Sequence, residues 1–358
     1  MKWLIIFPDS WIAYSPSCIN FAKMLERNGE QYFVLRHSDY EVVNEGIDLK
    51  QKIITFNKIL FRIFNKRGIR IFLKYYKILN FYKEAKKLEK EFHFDRFVGI
   101  DEVGYVTAYL LNKKAIYYSL EVSNSLLDNF IFKCLKPYLL IIQSKERKDY
   151  LCKKNMNVAY IQNSPIVENK IAQKKYSGKL IYFGNLELGY GLGDIFDSLY
   201  SMNEVLYVKY LKKTSSKYRD SVLNKYKKLI DEKQLILDDS YIEQEAVIDY
   251  IRDFDIGFCF YDKQQIEKSF NLASSPSGKM FNYFATGIPV IANDTVGFNP
   301  IKQFNAGILL KDINTQTIIE AIGKIRENYS VFRENSINAG VEFNYAKMFN
   351  ENKEKIFL

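Results

Sequence analysis

Cysteine and histidine are both scarce in this chain, with four and two respectively among 358 residues. Cys18, Cys134, Cys152 and Cys259 are widely spaced and form no Cys-x-x-Cys pair. That spacing argues against a zinc site or a disulfide scaffold and fits a reducing cytosol. With only His37 and His93 available, proton transfer falls mainly to carboxylates. His37 follows a strand-like run, where it could approach a ligand or be incidental. No apolar run approaches 18 residues, so no segment is expected to span a membrane. The opening Met1-Lys2-Trp3-Leu4-Ile5-Ile6-Phe7-Pro8 is too short for a secretory signal and lacks a small-residue cleavage site, so it reads as a strand. The first loop, Asp9-Ser10-Trp11-Ile12-Ala13-Tyr14-Ser15-Pro16, contains no glycine and is no dinucleotide fingerprint.

Acidic residues are nearly missing from one segment. Residues 50–90 hold thirteen Lys and Arg against Glu84 and Glu89, a net +11 in a chain whose total is +10. These cations interleave with Ile, Leu, Phe and Tyr, so helical wheels there carry an apolar and a cationic face. Such helices either lie on an anionic membrane surface, at about 1 kcal/mol per basic residue, or pack on a domain with a solvated basic face. Nucleic acid is not expected as a partner, because no known binding module surrounds the cluster.

A hydrophobic fraction of 47% and an aromatic fraction of 16% indicate a globular chain with ample core. A chain of this length is expected to form two domains. Apolar runs at residues 3–7, 32–35, 96–100, 115–119, 139–143 and 158–161 read as strands alternating with helices, which is a doubly wound pattern. Gln162-Asn163-Ser164-Pro165 reads as the linker. The pattern restarts at residues 179–183 and continues at 205–210, 235–238 and 255–260. A single helix over roughly 332–357 is expected to pack back on the first domain. The expected divisions are 1–164, 165–331 and 332–358.

Two stretches of the second half carry candidate chemistry. Residues 184–193 place four glycines directly after a strand, a candidate phosphate cradle. Pro276-Ser277-Gly278-Lys279 then opens a helix that Gly287 and Pro289 end. Ile288 to Ala292 then reads as a short buried strand. Unpartnered first-turn amides, the helix dipole and the Lys279 ammonium would together receive an anion; otherwise the stretch is a capped helix with a surface lysine. In the first half, Asp101 and Glu102 follow a strand end, where open α/β sheets bind ligands. They read as candidate bases, with a helix-capping role for Asp101 equally open. Glu121 is a third candidate, or else a salt-bridge partner.

Pro276-Ser277-Gly278-Lys279, Gly287-Ile288-Pro289-Val290-Ile291, Gly297 and Ala306-Gly307-Ile308-Leu309 resemble the donor-binding core of family-4-like bacterial glycosyltransferases. One extra residue separates the proline from the lysine. Phe183-Gly184-Asn185-Leu186 with Leu188-Gly189 is similar to that group's first loop of the second domain. Tyr117-Tyr118-Ser119-Leu120-Glu121 and Ile142-Gln143-Ser144 resemble first-domain stretches of cell-surface polysaccharide transferases. The resemblance implies an α/β GT-B fold: two Rossmann-like, doubly wound domains facing a cleft, with a C-terminal helix packing back on the first. It further implies a cytoplasmic, metal-independent hexosyltransferase without a cofactor, peripheral on the inner face of the cell membrane if the basic segment docks there. Sugar would pass from a nucleotide donor, UDP-linked, to a glycan or lipid-linked acceptor.

By the same resemblance Lys279 would pair with the donor diphosphate, helped by Ser277, Gly278, Gly184, Asn185, Gly189 and Gly191. Asn282 would sit by the ribose and Tyr241 by the base. The family's Glu-x₇-Glu positions read Ser274 and Asn282 here, and Tyr190 stands where relatives often carry a basic residue. Those departures keep open a non-catalytic GT-B subunit that binds a partner transferase or a glycan. A nucleotide-sugar epimerase of the same fold is a further alternative, disfavoured by the scarcity of histidine.

Overall fold

The computed structural model describes residues 1–9, 12, 15–37, 50–66, 70–123, 125–168, 171, 174–186, 191–210, 216–243, 246–261 and 263–358. The chain divides into two units, Met1–Gln162 with Met348–Leu358, and Asn163–Lys347.

The first unit holds seven strands: β1 (Lys2–Phe7), β2 (Gln31–His37), β3 (Gln51–Ile54), β4 (Arg96–Ile100), β5 (Ile116–Tyr118), β6 (Leu139–Ile142) and β7 (Val158–Tyr160). They lie in the order β3-β2-β1-β4-β5-β6-β7. Every strand pair in this sheet is parallel. Residues 3–7 and the whole of β6 are buried. Burial on both faces explains why these strands are unbroken Ile, Leu and Phe runs and not alternating ones. Strand order reverses between β1 and β4, and the carboxyl ends of those two strands deliver Asp9 and Asp101.

Asp101 sits on a sharp strand-to-helix turn with φ +49°. Two glycines permit it. A Cβ on Gly99 would lie 2.3 Å from the backbone of Gly104 and Tyr105, and one on Gly104 would lie 2.6 Å from the Ile6 carbonyl oxygen. Strand β4 and the helix Asp101–Leu111 thus cross backbone to backbone. Gly99→Ala is expected to cost at least about 1–3 kcal/mol, because backbone cannot step aside as a side chain can; thermal unfolding measures it.

The second unit holds β8 (Lys179–Phe183), β9 (Val205–Lys209), β10 (Leu235–Asp238), β11 (Ile256–Cys259), β12 (Val290–Asn293) and β13 (Gly307–Leu310). Their order is β10-β9-β8-β11-β12-β13, again with all pairs parallel. Here the reversal falls between β8 and β11. At the opposite end of the sheet, buried Asp255 accepts hydrogen bonds from the N–H groups of Ser177 and Lys179, both 2.9 Å, and pairs with Lys174. Burial alone would raise its pKa, but Lys174 and these hydrogen bonds outweigh it and hold the carboxyl below the ordinary range.

The chain past residue 328 forms three helices, Tyr329–Glu342, Tyr345–Glu351 and Lys353–Phe357, in place of the single helix expected. The first packs in the second unit: Arg333 donates to the carbonyls of Thr286 and Gly287 at 3.3 and 3.0 Å. The last belongs to the first unit, where Phe357 meets Trp3 edge-on at 5.5 Å and Phe349 meets Phe21 at 5.7 Å. Between Tyr261 and Pro276 lie the helices Lys263–Lys268 and Phe270–Ser274. Ser269 caps the second by accepting from the Leu272 N–H, a local signal available in the sequence.

Candidate functional site

Each unit carries its chemistry at the strand reversal, where open α/β sheets leave a crevice beyond the carboxyl ends.

In the second unit β8 runs out at Phe183, whose N–H donates to the Tyr283 hydroxyl at 3.1 Å, and Gly184 follows. The helix Gly278–Phe284 presents Lys279 to this point. Its Nζ lies 5.0 Å from the centre of the Tyr182 ring and 5.7 Å from that of Tyr261. A Cβ on Gly184 would come within 2.8 Å of the same Nζ, so glycine is what lets the ammonium reach the end of β8. The two aromatic faces hold the cation electrostatically. Burial pulls the Lys279 pKa below its usual value. An anion reaching this ammonium would restore the charge stabilisation that burial removes.

The backbone behind Lys279 is fixed from both ends. Ser277 is the buried N-cap of this helix, but its side chain does not cap it; the hydroxyl is hydrogen-bonded to the Cys259 thiol, which burial pushes up to about 12. Gly278 faces the side chain of Asn163, whose Nδ2 would be 3.1 Å from an added Cβ. Gly287 takes φ +70° just past the helix, and a Cβ on Gly340 would lie 2.4 Å from the Phe284 carbonyl oxygen.

A cavity of about 550 Å³ adjoins this knot and shares Tyr261 with it; Gly191, Lys263, Asn293, Thr295 and Asp312 also line it. Gly191, at φ +64°, caps the helix Leu192–Leu199. Asn293 clasps the Tyr261 backbone, accepting from its N–H at 2.7 Å and donating to its carbonyl at 3.1 Å. The Thr295 hydroxyl is buried without a hydrogen-bond partner.

Of the residues expected to bind a donor, Gly184, Ser277, Gly278 and Lys279 come together here, and Gly191 lines the adjoining cavity. The Asn185 carbonyl accepts from the Tyr182 hydroxyl at 3.0 Å. Asn282 lies one turn beyond Lys279, and its carbonyl accepts from Thr286. Tyr241 is 75% exposed in the stretch after β10. Gly189 and Tyr190 lie outside the described residues. Ser274 is buried and donates to the Phe270 carbonyl at 2.7 Å. Tyr182, Tyr261, Asn293 and Thr295 were not expected. A polar residue closing an apolar strand, as in Ile291-Ala292-Asn293, was the available signal for Asn293.

In the first unit Asp101 Oδ1 accepts from the N–H groups of Leu120 and Glu121 at 2.7 and 3.0 Å. Burial drives its pKa well above the ordinary carboxylate range, and the charges of Glu121 and Asp9 add to burial against those hydrogen bonds. Arg147, fully buried, donates to the Leu120 carbonyl at 2.8 Å and thereby steadies the same loop. Glu102 is differently placed: Lys74 forms an ion pair with it and the Ser125 hydroxyl donates to it. Asp9 pairs with Lys77 at 2.6 Å. Glu121 is exposed. His37 is buried against Phe56 at 4.4 Å and Phe61 at 5.8 Å, within an aromatic cluster. Asp101 is therefore a carboxyl whose protonated form burial favours, whereas Glu102 is ion-paired with Lys74. No group of three or more His, Cys, Asp or Glu side chains placed to hold a metal ion occurs among the described residues.

No family model matches the chain, and no curated protein matches it in sequence. Its fold, however, is that of several solved structures. HepE of Anabaena in complex with UDP aligns over 99% of both chains at TM-score 0.70 and 12% identity. A sucrose-phosphate synthase from Thermosynechococcus elongatus aligns over 100% of this chain and 99% of its own at TM-score 0.66 and 11% identity. A Listeria monocytogenes protein named as a UDP-N-acetylglucosamine 2-epimerase aligns over 100% and 96% at TM-score 0.63 and 12% identity. The two parallel sheets of seven and six strands have the GT-B fold.

Proposed function

We propose that this protein is a glycosyltransferase that moves a sugar from a nucleotide donor, UDP-linked, to a hydroxyl of a glycan or lipid-linked acceptor. The observation that carries the reading is the Lys279 ammonium, desolvated between Tyr182 and Tyr261 and set against Gly184 at the strand reversal of the second unit. An acceptor oxygen attacks the anomeric carbon, and the bond from that carbon to the diphosphate oxygen breaks. The departing diphosphate takes the electron pair, and the Lys279 ammonium meets its charge. Asp101, in its ionised form, receives the acceptor proton. Charge neutralisation is assigned to Lys279 and not to a divalent metal. The setting is the cytoplasm, in bacterial surface polysaccharide synthesis, in line with the stretches that resemble such transferases.

A second reading, a non-catalytic subunit that binds a partner transferase or a glycan, is favoured by Ser274 and Asn282 standing at the family's glutamate positions. A panel of UDP-, GDP- and TDP-sugars separates the two. Release of nucleoside diphosphate from one of them supports transfer, while binding without release supports the subunit. Failure of every nucleotide sugar to bind at millimolar concentration sinks the enzyme reading.

A further inference from the structure

The basic segment packs on its own domain yet leaves apolar side chains exposed. The helix Arg70–Phe92 buries Ile78, Phe81, Ala85 and Leu88 against the first unit. Its opposite face is apolar at one end and cationic at the other. Phe72, Tyr75 and Leu79 are 55%, 54% and 59% exposed there. Lys83, Lys86 and Lys90, exposed as well, continue the same face at helical spacing. The shorter helix Lys58–Phe64 sets Phe64 against Phe72 at 6.5 Å and against Tyr76 at 5.6 Å. It exposes Ile59 at 69%, with Leu60 and Ile63 beside it. Exposed apolar side chains gathered in this way mark an interaction surface.

We propose that the helices Lys58–Phe64 and Arg70–Phe92 dock the protein on an anionic lipid bilayer, with Ile59, Ile63, Phe72, Tyr75 and Leu79 entering its surface. Charge complementarity selects this occupant. Exposed Lys52, Arg62, Lys66, Lys83, Lys86 and Lys90 surround the apolar residues, and the segment is +11. A second copy of the chain would bring like charge against like charge, whereas anionic headgroups neutralise it. Cations at the rim and apolar groups at the centre are what an interfacial helix requires.

The docking face is tied to the first unit's chemistry. On its inner side the long helix carries Lys74, paired with Glu102, and Lys77, paired with Asp9. Glu102 follows Asp101 directly, so the docking helix is joined by the Lys74–Glu102 ion pair to the segment that carries the candidate base. If the transferase reading holds, on which this step rests, the acceptor sugar is borne on a membrane-anchored carrier.

Flotation with vesicles of phosphatidylglycerol in phosphatidylcholine tests the docking. The full-length protein is expected to float with them and not with pure phosphatidylcholine. Part of that binding should survive 1 M salt, where the screening length is about 3 Å. The triple variant Ile59→Ser, Phe72→Ser, Leu79→Ser alters exposed positions only, and its vesicle partition is expected to fall at least tenfold with UDP binding unchanged. The triple variant Lys83→Glu, Lys86→Glu, Lys90→Glu is expected to lose binding at low salt. Three results overturn the proposal: no flotation of the unaltered protein, equal flotation of the serine variant, or a dimer in light scattering that the serine variant abolishes. UDP binding is read in parallel, so flotation without nucleotide binding removes the transferase reading and leaves the docking intact.

Discussion

Lys279→Ala is expected to lower turnover about 10²- to 10³-fold, the usual loss when one preorganised charge partner of a transition state is removed. Donor affinity should fall about 10- to 100-fold, in keeping with a charge-assisted contact of about 1.5–3 kcal/mol. A subtler variant keeps the lysine and moves it. In Gly184→Ala the new Cβ would stand 2.8 Å from Nζ and 3.2 Å from the Tyr182 hydroxyl. Both atoms are side-chain ends, and the long lysine stem yields readily, so the fold should survive while the ammonium retreats from the end of β8. Near-wild-type unfolding together with weakened donor binding is the expected pair of results. Unchanged donor binding in both variants would place the diphosphate elsewhere.

Asp101→Asn should reduce turnover about 10²- to 10⁴-fold, the range for loss of a general base, and should stabilise the protein near neutral pH. Asparagine Oδ1 can still accept the Leu120 and Glu121 N–H groups, and asparagine tolerates the positive φ at this turn. The stability effect follows from proton linkage. The Asp101 pKa is raised in the folded state. Its favourable contribution is therefore fully present below the ordinary carboxylate range, and it is lost as pH rises through the raised value. The Asn variant removes that slope, so the stability gap between the two proteins should widen from acid toward neutral pH. Chemical denaturation at several pH values measures the gap. A gap that stays constant with pH, or an Asn variant of full activity, rules out the proposed role of Asp101.

Much of this molecule could be read from its sequence because parallel strands buried on both faces advertise themselves. Residues 179–183 and 235–238 were legible to the residue, since nothing polar interrupts the first and turn residues bound the second. The Ser277-Gly278-Lys279 helix start was also legible, and with it Gly287 as the terminating residue. What surrounds Lys279 was not. Tyr182 lies in β8 and Tyr261 just past β11, strands that meet only because the strand order reverses there, and no local pattern records that pairing. Asp101 and Glu102 looked equivalent as adjacent carboxylates at a strand end. They differ because Lys74, from a helix earlier in the chain, neutralises one of them, while loop amides and burial govern the other. The basic helices were legible as amphipathic, but not the exposed apolar residues that share their cationic face. The most regular apolar stripe, through Ile78, Phe81, Ala85 and Leu88, faces the core, and the exposed apolar residues lie opposite among the cations.

Calorimetric titration of UDP into the protein, repeated in buffers of different ionisation enthalpy, tests the Lys279 site most directly. Burial has lowered the lysine pKa, and a bound diphosphate should raise it again. Binding should therefore be accompanied by proton uptake that grows as pH climbs toward the lowered value, and both the tight binding and the uptake should disappear in Lys279→Ala. No binding at millimolar UDP, or equal binding with equal proton uptake in the variant, would contradict the assignment of Lys279 as the diphosphate partner.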